Sequence, residues 1–218
     1  MQAGRPLQNR VAPTSEIVAV PSRGMFMGNR GVLHDDTQRL GKRRWVLKAW
    51  IICQLEFKNR QRTVMTPRRY TELFFFDEAT AIAAGHRPCY ECRRQAALAW
   101  RDAWRQASGV LETPRAGEMD AILHNERVDA ASRIQRLCSG TFDDLPDGAF
   151  VLIDSQPHLI LGEDILPWSW SGYSAPKPRP QGPGAIILTP PSAMAVLREG
   201  YQPELHPSVH QRDTKKGN

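Results

Sequence analysis

No stretch of this chain approaches the ~20 consecutive apolar residues that span a bilayer, and no basic patch followed by an apolar run marks its N-terminus for export. A cytoplasmic protein with reduced thiols and no membrane partner is therefore expected. Cysteine is scarce, four in 218 residues, which speaks against a disulfide scaffold. There is no internal repeat, and so no repeat architecture. Gly41-Lys42 ends no Gly-x-x-x-x-Gly-Lys-Ser/Thr pattern, so a phosphate loop of that type is excluded. Helical and strand-like segments do not alternate regularly enough for a doubly wound sheet. The expected fold class is α+β, with short-stranded sheets.

What is present is ordinary in bulk and uneven in detail. A hydrophobic fraction of 41% and a charged fraction of 24% suit one medium domain or two small ones with a real core. Six tryptophans are more than this length requires. The net charge of +6 hides a split: residues 30–70 carry eleven Lys and Arg against three acids, and residues 110–165 carry four Arg against eleven acids. Clustered cations are rewarded by phosphates. DNA or RNA is thus a candidate partner, with Lys42, Arg43, Arg44, Arg60, Arg62, Arg68 and Arg69 as phosphate contacts. The alternative is that the basic half docks on the chain's own acidic half, as in a protein-interaction module.

Along the chain, residues 1–24 are polar and proline-containing and read as a flexible arm. Residues 25–109 form a first lobe and 118–206 a second α+β lobe, with 207–218 as a tail. Alternation of Ile51, Cys53, Leu55 and Phe57 predicts a half-buried strand. Thr63 to Met65 and Thr71 to Phe76 are further strand candidates. Asp77 caps a short helix over 78–84 that Gly85 stops, and a longer helix runs from beyond Cys92 to about Ala107, ended by Gly109. In the second lobe a weak helical period covers 119–128. Strands are expected at 150–153, 159–161 and 185–188, and a helix over 192–199 behind Pro190-Pro191. The Pro/Gly segment 174–184 reads as irregular.

The sharpest motif is Gly85-His86-Arg87-Pro88-Cys89-Tyr90-Glu91-Cys92-Arg93-Arg94. Zinc takes four ligands, commonly thiolates and imidazoles. A Cys-x-x-Cys turn before a helix supplies two of them, with the helix dipole and nearby arginines favouring thiolate. Cys53 is either a further ligand or a small core hydrophobe, and His34 either a ligand or a loop hydrogen-bonder. Cys138 reads as a free cysteine, and His86 as a packing residue.

Phe74 to Cys92 resembles the C-terminal half of the Ada-type metal-binding module of methyl-phosphotriester repair proteins and nuclease-associated variants: strand, capped alanine-rich helix, then Gly-His-Arg-Pro-Cys-x-x-Cys. Gly28-Asn29-Arg30-Gly31-Val32-Leu33-His34 is similar to the Gly-Asn-x-x-x-x-His segment of the latter. The resemblance covers residues 26–94. It implies a Zn2+ site of His34, Cys53, Cys89 and Cys92, structural rather than catalytic, stapling strand 45–57 to the helix after Cys92. The module has a Cys-x-x-x-Cys pair upstream, whereas here Cys53 stands alone with Phe57 in the second place, which gives alkyl transfer little support.

The second half carries no such likeness. His124-Asn125-Glu126 sits among acids without a partner at metal-ligand spacing. Trp168-Ser169-Trp170-Ser171-Gly172-Tyr173 is either a stacking platform or core closure. An enzyme with a pocket in the second lobe, lined by Asp120, His124 or Glu126, is the rival reading.

Overall fold

The computed structural model of the protein describes residues 5–61, 63–129 and 131–210. It is an α+β structure of four helices and two sheets. The first sheet contains β1 (Arg10–Val11), β2 (Ile17–Val18), β3 (Phe26–Asn29), β4 (Ile51–Gln54), β5 (Leu73–Phe75) and β6 (Arg87–Pro88), in the order β2-β1-β5-β3-β4-β6. The β1–β5 and β4–β6 pairs are parallel and the others antiparallel. Between β5 and β6 lies α1 (Glu78–Ala83). Asp77 caps it by accepting from the Thr80 N–H at 2.8 Å, and Gly85 leaves it at φ +84°. Every residue of α1 is buried, so the helix is a core element.

After β6 the chain turns into α2 (Arg94–Ser108), ended by Gly109 in the left-handed region. Then come α3 (Ala116–Arg127) and the second sheet: β7 (Cys138–Thr141), β8 (Phe150–Ile153), β9 (Gln156–Leu161), β10 (Asp164–Ser169), β11 (Gly172–Tyr173), β12 (Lys177–Pro178) and β13 (Pro183–Ile187). Its order is β11-β10-β9-β8-β13-β7, with β12 on β10, and all of its pairs are antiparallel. The last helix is α4 (Pro191–Arg198), which packs on α2.

Four expectations are corrected. The arm predicted over 1–24 contributes β1 and β2, because Val11 (0% exposed) and Ile17 bury side chains that a solvated arm would expose; residues 1–4 lie outside the described residues. The strand predicted to Phe57 stops at Gln54, and Leu55 faces solvent. The segment 174–184 contains β12 and the start of β13; Pro178 lies on the edge strand β12 and Pro183 is the first residue of β13, positions where no ladder N–H is required. Thr63 to Met65 is a turn.

The segments expected as two lobes share one core. A single cluster joins Ile52, Leu73, Phe75 and Trp100 to Leu123, Val151, Ile160 and Val196. Burying each large apolar side chain contributes about 1.5–3 kcal/mol, so both halves stabilise the same interior. Trp168 and Tyr173 pack edge-on against Phe76, with ring centroids 6.1 and 5.8 Å away. These rings belong to a second buried cluster with Phe150, Leu159 and Leu166, which the Trp-Ser-Trp-Ser-Gly-Tyr run closes.

Candidate functional site

Pairing of β3, β4 and β6 brings the cysteines together. On β4, Cys53 stands opposite Met27 of β3. Parallel pairing of β6 with β4 places Ile52 beside Pro88, and the Cys89 N–H donates to the Ile52 carbonyl at 2.9 Å. That bond sets Cys89 next to Cys53. The following turn, closed by Arg93 N–H to the Cys89 carbonyl at 3.0 Å, returns Cys92 to the same place before α2 begins. The three Sγ atoms lie within 4.8 Å of one another and could hold a metal ion. A tetrahedral ion with M–S bonds of ~2.3 Å sets its sulfurs roughly 3.8 Å apart, so the cluster fits with small adjustments. Met27, Ile51, Tyr70 and Phe74 surround it.

The electrostatics of the trio favour thiolate at one sulfur. The thiol of Cys53 donates to Cys89, and backbone N–H groups of Cys92 and Glu91 face the same sulfur (Glu91 N at 3.4 Å), against the opposing effect of burial. Together they hold Cys89 down to about 5. The hydrogen bond to Cys89 and burial push the Cys53 thiol up, and burial does the same for Cys92.

His34 is not part of this group. Its Nδ1 is 2.6 Å from Thr71 Oγ1 and its Nε2 3.2 Å from the Thr66 carbonyl, so both ring nitrogens are engaged in a loop clamp. The expected four-residue ligand set is thereby corrected to three. Cys138 lies on β7, outside the group. His86 is buried, between Trp50 and Phe75.

The seven cations expected on phosphate divide by position. Arg43 and Arg44 line a cavity; Arg60 pairs with Glu91 beside the cysteine turn; Lys42, Arg68 and Arg69 are exposed; Arg62 lies outside the described residues. Among the described residues no ion pair joins a cation of 30–70 to an acid of 110–165. The acids proposed for a second-lobe pocket are committed elsewhere. Asp120 forms a bidentate pair with Arg87 at 2.9 and 2.8 Å, and Glu126 accepts from Ser192 N and Oγ at 2.9 and 2.6 Å.

An unforeseen feature is a pair of contiguous cavities. The outer one, about 640 Å³, is lined by Arg43 and Arg44 from one side, Arg133 and Arg136 from the other, and Trp45 and His124. The inner one, about 560 Å³, shares Arg44, Trp45, Val128 and Arg133 with it and reaches Trp50, Arg30 and Arg127. Half-buried Trp45 sits 5.6 Å edge-on from His124 and 6.3 Å from Trp50. Burial first, then Arg127 and Lys48, push the His124 pKa down, favouring neutral imidazole.

Sequence reasoning missed Arg30, Arg127, Arg133, Arg136, Trp45 and Trp50 as one site. Arg127 in the last turn of a helix has a sufficient local explanation in the helix dipole, and Arg30 directly follows a strand. Nothing in their spacing shows that they meet. Comparison with family models, curated proteins and solved structures finds no match to this chain, so the site is read from its own residues alone.

Proposed function

We propose that this protein is nucleic-acid-associated, binding a phosphate-bearing strand in its arginine-lined groove while a zinc ion at Cys53, Cys89 and Cys92 staples the fold beneath it. The observation that carries the reading is the outer cavity, where Arg43 and Arg44 from the basic half meet Arg133 and Arg136 from the acidic half around Trp45. The side chains of Arg43 and Arg133 have no ion-pair or hydrogen-bond partner among the described residues, Arg44 bonds only backbone carbonyls, and Arg136 has one long exposed pair with Asp129. Cations around an aromatic ring suit phosphates flanking a stacked base. The groove therefore favours single strands or strand ends over a duplex.

Zinc fits the all-thiolate donor set. Held by Cys53, Cys89 and Cys92, zinc would tie β4 to the turn into α2. The packed setting among Met27, Ile51, Tyr70 and Phe74 favours a staple. Replacing His34 with alanine tests the ligand set. The variant is expected to keep its zinc by elemental analysis and to lose about 1–3 kcal/mol of stability, as Thr71 loses its partner. Zinc lost with the imidazole would overturn the three-cysteine set.

The nucleic-acid reading is tested by titrating a labelled oligothymidylate at several salt concentrations. Binding should weaken steeply with salt. The quadruple variant Arg43→Ala, Arg44→Ala, Arg133→Ala, Arg136→Ala should flatten the log–log slope by roughly 0.7 per phosphate contact removed. Binding that is absent in the parent, or equally salt-sensitive in the variant, would sink the idea. The rival enzyme and self-docking readings gain nothing from the positions of Asp120 and Glu126 or from the ion pairs.

A further inference from the structure

Arg30 and Arg127 are each only 1% exposed, yet neither meets a carboxylate within ion-pair distance among the described residues. Buried charges are normally paired, because removing them from water is costly. Arg30 donates from Nε to His86 Nε2 at 3.3 Å, and from its terminal nitrogens to Ser15 O and Oγ at 3.3 and 2.9 Å. Arg127 donates to the Gly85 and Lys48 carbonyls, both at 2.6 Å, and lies 3.3 Å from His124 Nδ1. Its Nε is buried without any partner. Each guanidinium has five N–H donors, so both keep donors to spare. Their guanidinium carbons lie 3.9 and 3.8 Å from the Trp50 ring centroid, so both cations pack against the same indole.

The surroundings do not cancel this charge, and burial works against it. Burial first, then Arg127 and Arg44, push the Arg30 pKa well down, and burial pushes Arg127 down to about 9. His86 is driven to its neutral form by burial and by the same two arginines, so its Nε2 accepts from Arg30 while Nδ1–H faces the Ala81 carbonyl at 3.2 Å. Gly85 lets the Arg127 stem pass, since a Cβ there would fall on it. The Gly-His-Arg-Pro-Cys-x-x-Cys run thus serves two sites: its first two residues seat the arginines and its cysteines form the thiolate cluster.

We propose that Arg30 and Arg127, over Trp50, receive a phosphomonoester at the floor of the inner cavity, from the phosphorylated end of a strand or from a nucleoside monophosphate. A dianion supplies the charge and the acceptors that this floor lacks. Two guanidiniums at a buried floor admit a chain end more readily than an internal phosphodiester, which must carry chain onward in both directions. The cavity walls suit the rest of a nucleotide. Ile17, Leu152, Leu188, Ile134 (66% exposed) and Leu137 (46% exposed) offer apolar surface, and Trp45 a ring to stack on. The volume of about 560 Å³ lies within the range of small-ligand sites.

This inference rests on the strand-binding reading, and one experiment separates the two. Labelled oligothymidylates with a 5′-phosphate, a 3′-phosphate or only hydroxyl ends are titrated against the full chain, and thymidine monophosphate and thymidine are compared in thermal-shift assays. One phosphorylated end should bind about tenfold tighter than the hydroxyl-ended strand. Arg127→Gln and Arg30→Gln should each abolish that preference, bringing the phosphorylated strands to the affinity of the hydroxyl-ended strand measured on the same variant. The monophosphate, and not the nucleoside, should raise the melting temperature of the parent, a readout that stands even where a variant fails to fold. Equal binding of all three strands with no monophosphate shift overturns this inference and leaves strand binding intact. A monophosphate shift without any strand binding supports the floor site and overturns the strand reading. Neither response removes both.

Discussion

Cys89→Ser is expected to remove zinc from the protein and lower its melting temperature by roughly 5–16 °C. The estimate is a linkage argument. A ligand that binds only the folded state, present at 100 to 1,000 times its dissociation constant, stabilises by about 2.7–4.1 kcal/mol, and a chain of this size shifts about 2–4 °C per kcal/mol. Cys89 is the critical position because it is the sulfur toward which Cys53 and the Glu91 amide are directed. Cys53→Ser should act alike, since it removes the β4 ligand and with it the tie between sheet and turn. Cys138→Ser, on β7, should keep zinc and lose little stability. Strong chelation should reproduce the Cys89 loss in the parent and add nothing in the variant. A Cys89→Ser protein that retains zinc and melts with the parent would end the metal proposal.

How far the sequence alone led depends on whether a feature is local. Local chemistry was legible. Asp77 and Gly85 bracket α1, Gly109 ends α2, and Pro191 opens α4, all close to their expected positions. Cys89 and Cys92 are adjacent through a four-residue turn, so their meeting needed no tertiary knowledge. The sequence leaves Cys53 open between ligand and core residue, and it is both buried and in the cluster, because its neighbours are decided by the parallel β4–β6 pairing. His34 misled for the same reason: its position resembles a ligand's, but the loop that returns Thr66 and Thr71 claims both ring nitrogens. The arginine floor was invisible because Arg30 and Arg127 are 97 residues apart and come together only through Trp50.

Glu78→Ala should be the most damaging single change away from the cysteines. This carboxylate, 1% exposed at the start of α1, is saturated by donors from three residues in two segments, Arg93 before α2 and Tyr201 and Glu204 after α4. Arg93 reaches it with two nitrogens at 2.6 and 2.8 Å, the Tyr201 hydroxyl at 2.6 Å and the Glu204 N–H at 2.9 Å. Truncation strands a buried guanidinium and leaves the tyrosine hydroxyl and the amide without acceptors. Breaking a buried pair from one side costs about 3–5 kcal/mol, which at 2–4 °C per kcal/mol is roughly 6–20 °C in melting temperature. Glu78→Gln keeps the shape but turns amide hydrogens toward Arg93, so it should fall between alanine and the parent. Arg60→Ala, which breaks only the exposed pair with Glu91, should leave the melting temperature unchanged. The Glu78→Ala loss should persist in chelator, because Arg93 ties α1 to the start of α2 whether or not the sulfurs hold an ion. Were the loss to vanish on chelation, Glu78 would be acting through the cysteine turn, and the staple would reach from zinc to the C-terminal segment by way of Arg93.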